Sequence, residues 1–235
     1  VKDSMQYCVN VLADSSQAVT LRYSTDSLHL INRLSLQDDI CSFELETLLP
    51  DTKYFYQLFS GKTATQIYSF KTYQSDPQFS FSVWADSQGG WPVFYKLMQR
   101  LSNHQDMFSV GVGDLVSHGA DENQWQTFFE IISAQSASIP FYLIAGNHDY
   151  DGYYEKLVPE NFRDYTQHAT GYFSWRAGNC AFIALDPNDR FPIGFSDTQQ
   201  QWFHLEMKKP FWRTATWRFV FVHQPPFSQG WAGYS

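Results

Sequence analysis

The sequence has few charged residues and no long apolar run, and both features exclude classes of protein. Asp, Glu, Lys and Arg make up only 17% of the 235 residues, and the formal net charge is −8. An acidic chain repels nucleic acids and anionic membranes on average, so we expect no nucleic-acid binding. The longest apolar stretches, such as residues 219–222, are too short to cross a bilayer, so we expect no membrane span.

Cysteine is also scarce, and its spacing excludes a zinc finger. The three cysteines, Cys8, Cys41 and Cys180, show no closely paired spacing. Cys8 and Cys41 lie in the same N-terminal segment, which leaves a disulfide open beside the simpler interpretation of free thiols. Because Val1 is not an initiator methionine, the start of the chain says nothing about its compartment.

Residues 1–73 have the pattern of short β-strands. Apolar residues alternate at period two in residues 8–12 and 19–23, and turn residues recur at intervals of about ten. Residues 48–56 carry the pattern Leu-x-Pro-x-Thr-x-Tyr-x-Tyr, which resembles a fibronectin type III-like module. We therefore predict an all-β N-terminal sandwich over residues 1–73, bounded by the polar break at residues 74–77.

The pattern changes after that break, and residues 78–235 predict an α/β domain. Short apolar runs with the composition of buried strands occur at 79–84, 107–112, 141–145 and 217–222. Helix-like segments lie between them at 92–102, 122–135 and 197–207. This alternation predicts a mostly parallel core, while residues 171–173 and 180–185 predict a hairpin.

Each apolar run is followed by side chains that bind metal ions in other proteins. They are Asp86 and Gln88, Asp114, Asn147 to Asp149, and His223, in chain order. Ligands bind at the carboxyl ends of strands in α/β sheets, so we expect these side chains to meet. Carboxylate, amide and imidazole groups without thiolate fit hard or borderline metal ions. Two such ions can clamp the attacking and leaving oxygens of a displacement at phosphorus.

The set of motifs resembles the calcineurin-like metallophosphoesterase superfamily. The motifs are Asp-x-Gln at 86–88, Gly-Asp-x-x-x-x-Gly at 113–119, Gly-Asn-His-Asp at 146–149 and Val-His-x-Pro-Pro at 222–226. The N-terminal module points to the purple acid phosphatase-like branch. The resemblance implies an α/β/β/α sandwich, hydrolysis of small phosphate esters, and a periplasmic or secreted location. Oligomeric state stays open.

The resemblance also implies a binuclear metal centre and a role for each motif residue. Asp86, Gln88 and Asp114 would hold one ion, and Asp114, Asn147 and His223 would hold the other. Asp114 would then bridge two divalent or trivalent ions, with Fe, Mn and Zn as the candidates.

Two further residues take catalytic roles by the same resemblance. A metal-bound hydroxide would attack phosphorus. His148 would stabilise the transferring phosphoryl group or protonate the leaving oxygen, and Asp149 would orient His148.

Two substitutions depart from the family pattern. Gln88 stands where the superfamily usually has histidine, and it is either a metal ligand or a hydrogen-bonding neighbour of the ligands. Ser117 stands where purple acid phosphatases have the iron-binding tyrosine, so we expect no iron-tyrosinate colour. His118, the next residue, faces either the site or solvent.

The family's closing Gly-His-x-His motif is missing from these 235 residues. We therefore expect a C-terminally truncated catalytic domain. This shortage of ligands keeps an alternative open, in which the chain is a catalytically inactive scaffold or interaction protein built on a degenerate phosphoesterase domain.

Overall fold

Residues 5–73 form two antiparallel sheets in the computed structural model, which describes residues 5–73, 78–150, 159–190 and 194–225. The strands are β1 (Met5–Leu12), β2 (Val19–Ser24), β3 (Asn32–Leu36), β4 (Ile40–Leu48), β5 (Lys53–Ser60), β6 (Thr63–Ala64) and β7 (Tyr68–Lys71). β1 pairs with β4, and the second sheet has the order β3-β2-β5-β6 with β7 also on β5. Leu21, Phe43 and Leu45 are fully buried in a core that both sheets share.

The strands predicted at residues 8–12 and 19–23 correspond to β1 and β2. Strand β3 was not predicted, because four of its five side chains are exposed and give no alternating pattern. The fibronectin type III-like assignment stays a prediction. The predicted boundary at residues 74–77 lies outside the described residues.

The alternative of a disulfide between Cys8 and Cys41 is wrong, because both thiols are free. In the β1–β4 ladder Cys8 lies opposite Glu44 and Cys41 lies opposite Val11. This offset of three positions separates the two backbones by about 10 Å along the strands, beyond the reach of a disulfide.

The second part of the chain stacks two sheets. β8 (Ser82–Trp84), β9 (Ser109–Val112) and β10 (Phe141–Ile144) form a parallel sheet with β9 at its centre. β11 (Phe173–Ala177) and β12 (Cys180–Leu185) form the predicted hairpin, and β13 (Trp217–Val222) pairs in parallel with β12. Phe108, Ile144 and Phe182 are fully buried in the core between these sheets.

Helices cover the outer faces of both sheets. They are α1 (Trp91–Leu101), α2 (Glu122–Ser136), α3 (Glu160–Thr166), α4 (Asp197–Glu206) and α5 (Pro210–Arg213). Met98, Trp125 and Phe162 bring the first three helices into one core with Trp84 of the parallel sheet. Helix α4 contacts the second sheet, where Ser174 Oγ donates to Glu206 Oε1 at 2.5 Å. The predicted α/β architecture is confirmed. Its two sheets pack face to face, and the helices lie on their outer faces.

Local signals explain why the long helices were predicted within a residue or so of their bounds. Pro92 stands in the first turn of α1, where its missing N–H costs nothing. Asp121 caps α2 by accepting from the N–H of Asn123, and Ser196 caps α4 by accepting from the N–H of Gln199. The short helices α3 and α5 were not predicted.

Two tyrosine contacts join the N-terminal sheets to the α/β part. Tyr56 Oη donates to the carbonyl oxygen of Ala137 at 2.9 Å, and the hydroxyls of Tyr73 and Tyr142 lie 2.7 Å apart. Within the described residues, no helix has the length and apolar character needed to cross a membrane.

Candidate active site

The strand-end residues predicted from the sequence converge where the two stacked sheets meet. β8 and β9 are parallel neighbours, so the turns after them lie side by side, and the N–H of Asp86 donates to Gly113 O at 3.1 Å. His223 reaches the same place from β13 of the other sheet. Potential ligand atoms of Asp86, Asp114 and His223 all lie within 4.8 Å of one another.

The backbone at this point is strained, which is typical of functional sites. Asp86 and Asp114 have φ angles of 54° and 52°, in the left-handed region that non-glycine residues avoid. Each such residue costs on the order of 1–3 kcal/mol and persists only where its surroundings hold it. Gly146 lets the next loop approach, since a Cβ on it would stand 2.3 Å from Asp114 N.

Asp114 is the buried centre of the site and has three polar neighbours. Its Oδ1 accepts from the backbone N–H of His148 at 3.0 Å and lies 3.2 Å from His223 Nε2, while its Oδ2 accepts from Gln88 Nε2 at 3.0 Å. Burial acts to raise the pKa of Asp114. The hydrogen bond and positive charge of His223, together with smaller contributions from His148, outweigh burial, so the pKa lies below its ordinary value.

His223 is oriented as metal-binding histidines are, with one ring nitrogen held by a backbone carbonyl. Its Nδ1 lies 2.7 Å from the carbonyl oxygen of Val112, and since a carbonyl only accepts, Nδ1 carries the proton. Nε2 therefore faces Asp114. Burial acts to lower the pKa of His223, but the Asp114 carboxylate raises it to about 9.

Gln88 carries a buried oxygen that lacks a hydrogen-bond partner among the described residues. This oxygen is Oε1, while Nε2 of the same amide donates to Asp114. A buried acceptor without a donor calls for an explanation, and a bound cation supplies one. Together with the carboxylates and the imidazole, it makes a donor set that fits hard or borderline metal ions.

Asn147 lies at the end of β10, where the sequence predicts it. Its Oδ1 accepts a hydrogen bond from Gln224 Nε2 at 2.9 Å. Asn147 is thus in contact with the residue that follows His223 in the chain. Gln224 was not predicted as a site residue, and its only signal in the sequence is its place beside His223.

His148 presents one ring nitrogen to the site. Its Nδ1 donates to the carbonyl oxygen of Ser117 at 2.9 Å, and Nε2 lies 3.9 Å from Asp114 Oδ2. Ser117, at the position of the family's tyrosine, thus contacts His148 through its backbone. His118 is exposed.

Asp149 accepts hydrogen bonds from the backbone of two loops at the site. It is fully buried, and its carboxylate accepts from the backbone N–H groups of Leu115, Val116 and Gly146 at 2.8–3.1 Å. These bonds hold the loop after β9 to the loop after β10. Burial raises the pKa of Asp149 to about 7.

Comparison with known proteins supports a phosphoesterase site. The calcineurin-like phosphoesterase family model matches residues 75–234. Two curated relatives come from Arabidopsis thaliana. They are a probable purple acid phosphatase 20, which is 24% identical over 189 residues, and an Fe(3+)-Zn(2+) purple acid phosphatase 12, which is 26% identical over 200 residues.

The chain spans less than half the length of these relatives. Each alignment covers 76% of this chain but only 43% and 41% of the respective relative. Among solved structures, the purple acid phosphatase PPD1 from yellow lupin (Lupinus luteus) seeds superposes with a TM-score of 0.70 at 15% identity. That superposition covers 95% of this chain and 49% of the lupin chain, and it shows a shared fold.

Proposed function

This chain belongs to the calcineurin-like phosphoesterase family, and from that premise we propose that it hydrolyses phosphate esters with metal ions held around Asp114. One observation carries the proposal: ligand atoms of Asp86, Asp114 and His223 lie within 4.8 Å of one another at the ends of strands from two sheets. Ligand atoms gathered this closely suit a cation between them. The relatives named as purple acid phosphatases point to a small phosphate ester as the substrate.

We assign five residues to two cations. Asp86, Gln88 and Asp114 would hold the first, and Asp114, Asn147 and His223 the second. Two cations held in this way would lower the pKa of coordinated water towards neutrality and offset negative charge on the phosphoryl oxygens. The donor set suits Fe, Mn or Zn.

The side chains near Asp114 supply the proton chemistry. Because the Ser117 carbonyl holds the Nδ1 proton of His148, only Nε2 of that ring can exchange a proton with the substrate. In its charged form, His148 would donate the Nε2 proton to the leaving oxygen. Asp149 would keep His148 at this position by fixing the backbone of the two loops.

We propose the same division of the chain as the sequence suggests. Residues 78–235 form the catalytic domain, and residues 1–73 form a fibronectin type III-like module without a catalytic role. The alternative of an inactive scaffold is not favoured, because the matching relatives are named as phosphatases.

Hydrolysis of p-nitrophenyl phosphate and bis(p-nitrophenyl) phosphate tests this function. We expect release of p-nitrophenol that a chelator abolishes and that Mn²⁺, Fe²⁺ or Zn²⁺ restores. Asp114→Asn should abolish turnover, while Asp164→Asn on the exposed face of α3 should not. Turnover that survives chelation, or that Asp114→Asn leaves unchanged, would exclude the proposal.

A further inference from the structure

A paired set of side-chain amides lies beside Asn147. Gln224 Nε2 donates one hydrogen to Asn147 Oδ1 and the other to Asn188 Oδ1, each at 2.9 Å. Asn188 Nδ2 returns a hydrogen bond to Gln224 Oε1 at 3.3 Å. Reversing the Gln224 amide would set its oxygen against two acceptor oxygens, so the pair has one favoured orientation.

The amide pair is anchored to the loop that carries Asn147. The N–H of Asn188 donates to Asp186 Oδ1 at 2.9 Å, and Tyr150 Oη donates to Asp186 Oδ2 at 2.7 Å. Tyr150 follows Asn147 by three residues in the same loop. The hydrogen bonds therefore form a closed circuit from Asn147 through Gln224, Asn188, Asp186 and Tyr150 back to the Asn147 loop.

The circuit lies in the protein interior and is tied to helix α4. Asp186, Asn188 and Tyr150 expose only 1%, 6% and 3% of their surfaces. Gln199 of α4 accepts from the N–H of Asp186 at 2.9 Å and donates to its carbonyl oxygen at 2.8 Å. Buried and mutually satisfied polar groups of this kind fix side-chain orientation, since a rotation of one member leaves another without a partner.

We propose that Gln224 and Asn188 are positioning residues that orient the Asn147 amide, so that its oxygen faces the second metal ion. The inference rests on the proposed function, in which Asn147 is a ligand of that ion. A carbonyl oxygen has two lone pairs. Gln224 occupies one of them, and the other remains for a cation. Neither residue would touch the substrate.

Titration of the chain with Mn²⁺ tests the inference. We expect two binding steps for the wild type. Gln224→Met removes both donated hydrogens while keeping the side-chain length, and it should weaken the second step by about 10-fold or more, as loss of an outer partner of a metal ligand does. The first step, which does not use Asn147, should keep its dissociation constant. Asn188→Ala should weaken the second step less, because it removes only the support for Gln224.

Several comparisons separate a positioning role from a structural one. The double variant should bind Mn²⁺ no more weakly than Gln224→Met, since both residues act through one contact. Gln200→Met on α4, at an exposed position, should match the wild type. The coupled two-Mn²⁺ signal in electron paramagnetic resonance should be weaker in Gln224→Met than in the wild type at metal concentrations that just saturate the wild type.

The possible titration results distinguish a failure of this inference from a failure of the proposed function. If Gln224→Met binds both ions as the wild type does, this inference fails while the proposed function stands. If both steps weaken together in proportion to a loss of folding stability, the role is structural and the inference fails. A wild type without a second Mn²⁺ step overturns the proposed function and this inference with it. If Gln224→Met does not fold, the two Mn²⁺ binding steps of Asn188→Ala are compared with those of the wild type in the same way. A weaker second step with an unchanged first step supports the inference, and two unchanged steps overturn it.

Discussion

His223 Nε2 lies 3.2 Å from Asp114 Oδ1, although the two residues follow strands of different sheets. Asp114 is fixed by the parallel sheet, and His223 by β13 of the second sheet. The site therefore exists only when the two sheets are packed together through their shared core. Ligands that bridge two packed layers couple metal binding to folding, because the unfolded chain has no such site.

Gly146→Ala should damage both stability and metal binding. A Cβ at this position would stand 2.3 Å from both N and Oδ1 of Asp114, and the backbone atom cannot yield as a flexible side chain does. We expect the free energy of unfolding in urea to fall by about 1–3 kcal/mol, with weaker binding of Mn²⁺. Gly90→Ala is the control, since its nearest atoms are 3.9 Å away. Equal stability of the two variants would contradict the geometry.

Gln88 should influence metal affinity through its Oε1 atom, which has no hydrogen-bond partner among the described residues. Gln88→Leu removes that oxygen, and we expect the dissociation constant of the first metal ion to rise by about 10-fold or more. Gln88→His, which introduces the imidazole usual in the superfamily, should bind at least as tightly as the wild type. Calorimetry with Mn²⁺ measures both, with Gln126→Leu on the exposed face of α2 as control. Unchanged affinity in Gln88→Leu would show that Gln88 is not a ligand.

His148→Asn should lower kcat without removing metal. General acid catalysis contributes roughly 10²–10⁴-fold, and the loss should be larger for an alkyl phosphate than for p-nitrophenyl phosphate, whose leaving group needs no proton. The measurement compares kcat for the two esters and the metal content of each variant. His104→Asn, at an exposed position, is the control. Equal losses on both esters would exclude proton donation by His148.

Asp186 should make the protein less stable as pH rises from about 4 to about 6. Burial raises the pKa of Asp186 from 3.8 to about 6, with Asp189 adding to the increase and the Tyr150 hydroxyl and Arg163 opposing it. The folded chain thus binds more protons than the unfolded chain in this window, and the free energy of unfolding falls with rising pH by about 3 kcal/mol. Above pH 6 this contribution is constant.

Asp186→Asn should remove the part of the slope that Asp186 contributes, while Asp149, whose pKa is also raised, keeps its own part. The measurement is urea unfolding at pH 4.5, 5.5 and 7, and the quantity compared is the change in free energy with pH. The exposed Asp164→Asn should follow the wild type. A stability curve of Asp186→Asn that runs parallel to the wild type would show that Asp186 does not titrate in this way.

The sequence predicts the part of the site that strand geometry determines. Asp86, Asp114 and Asn147 follow neighbouring parallel strands, whose carboxyl ends meet at one edge, so their proximity follows from the strand pattern. His223 follows a strand of the other sheet. Its position beside Asp114 depends on how the two sheets pack against each other. The family resemblance implies this packing, whereas the local sequence pattern does not.

Sequence patterns do not identify the residues whose hydrogen bonds support the site. Gln224 contacts Asn188, and Tyr150 contacts Asp186, between loops that are distant in the chain. Amide and hydroxyl side chains in loops carry no periodic signal. The partners of Asp149 were missed for a related reason. They are backbone N–H groups, which every residue but proline has, so the sequence does not mark them.

The metal content of the chain tests the central claim most directly. After incubation with Mn²⁺ and removal of free metal, mass spectrometry of the bound ions gives the number of ions per chain. Because Asp114 is assigned to both ions, we predict two per wild-type chain and at most one in Asp114→Asn, with two retained in Asp164→Asn. A wild-type chain without bound metal, or an Asp114→Asn variant that holds two ions, would contradict the account.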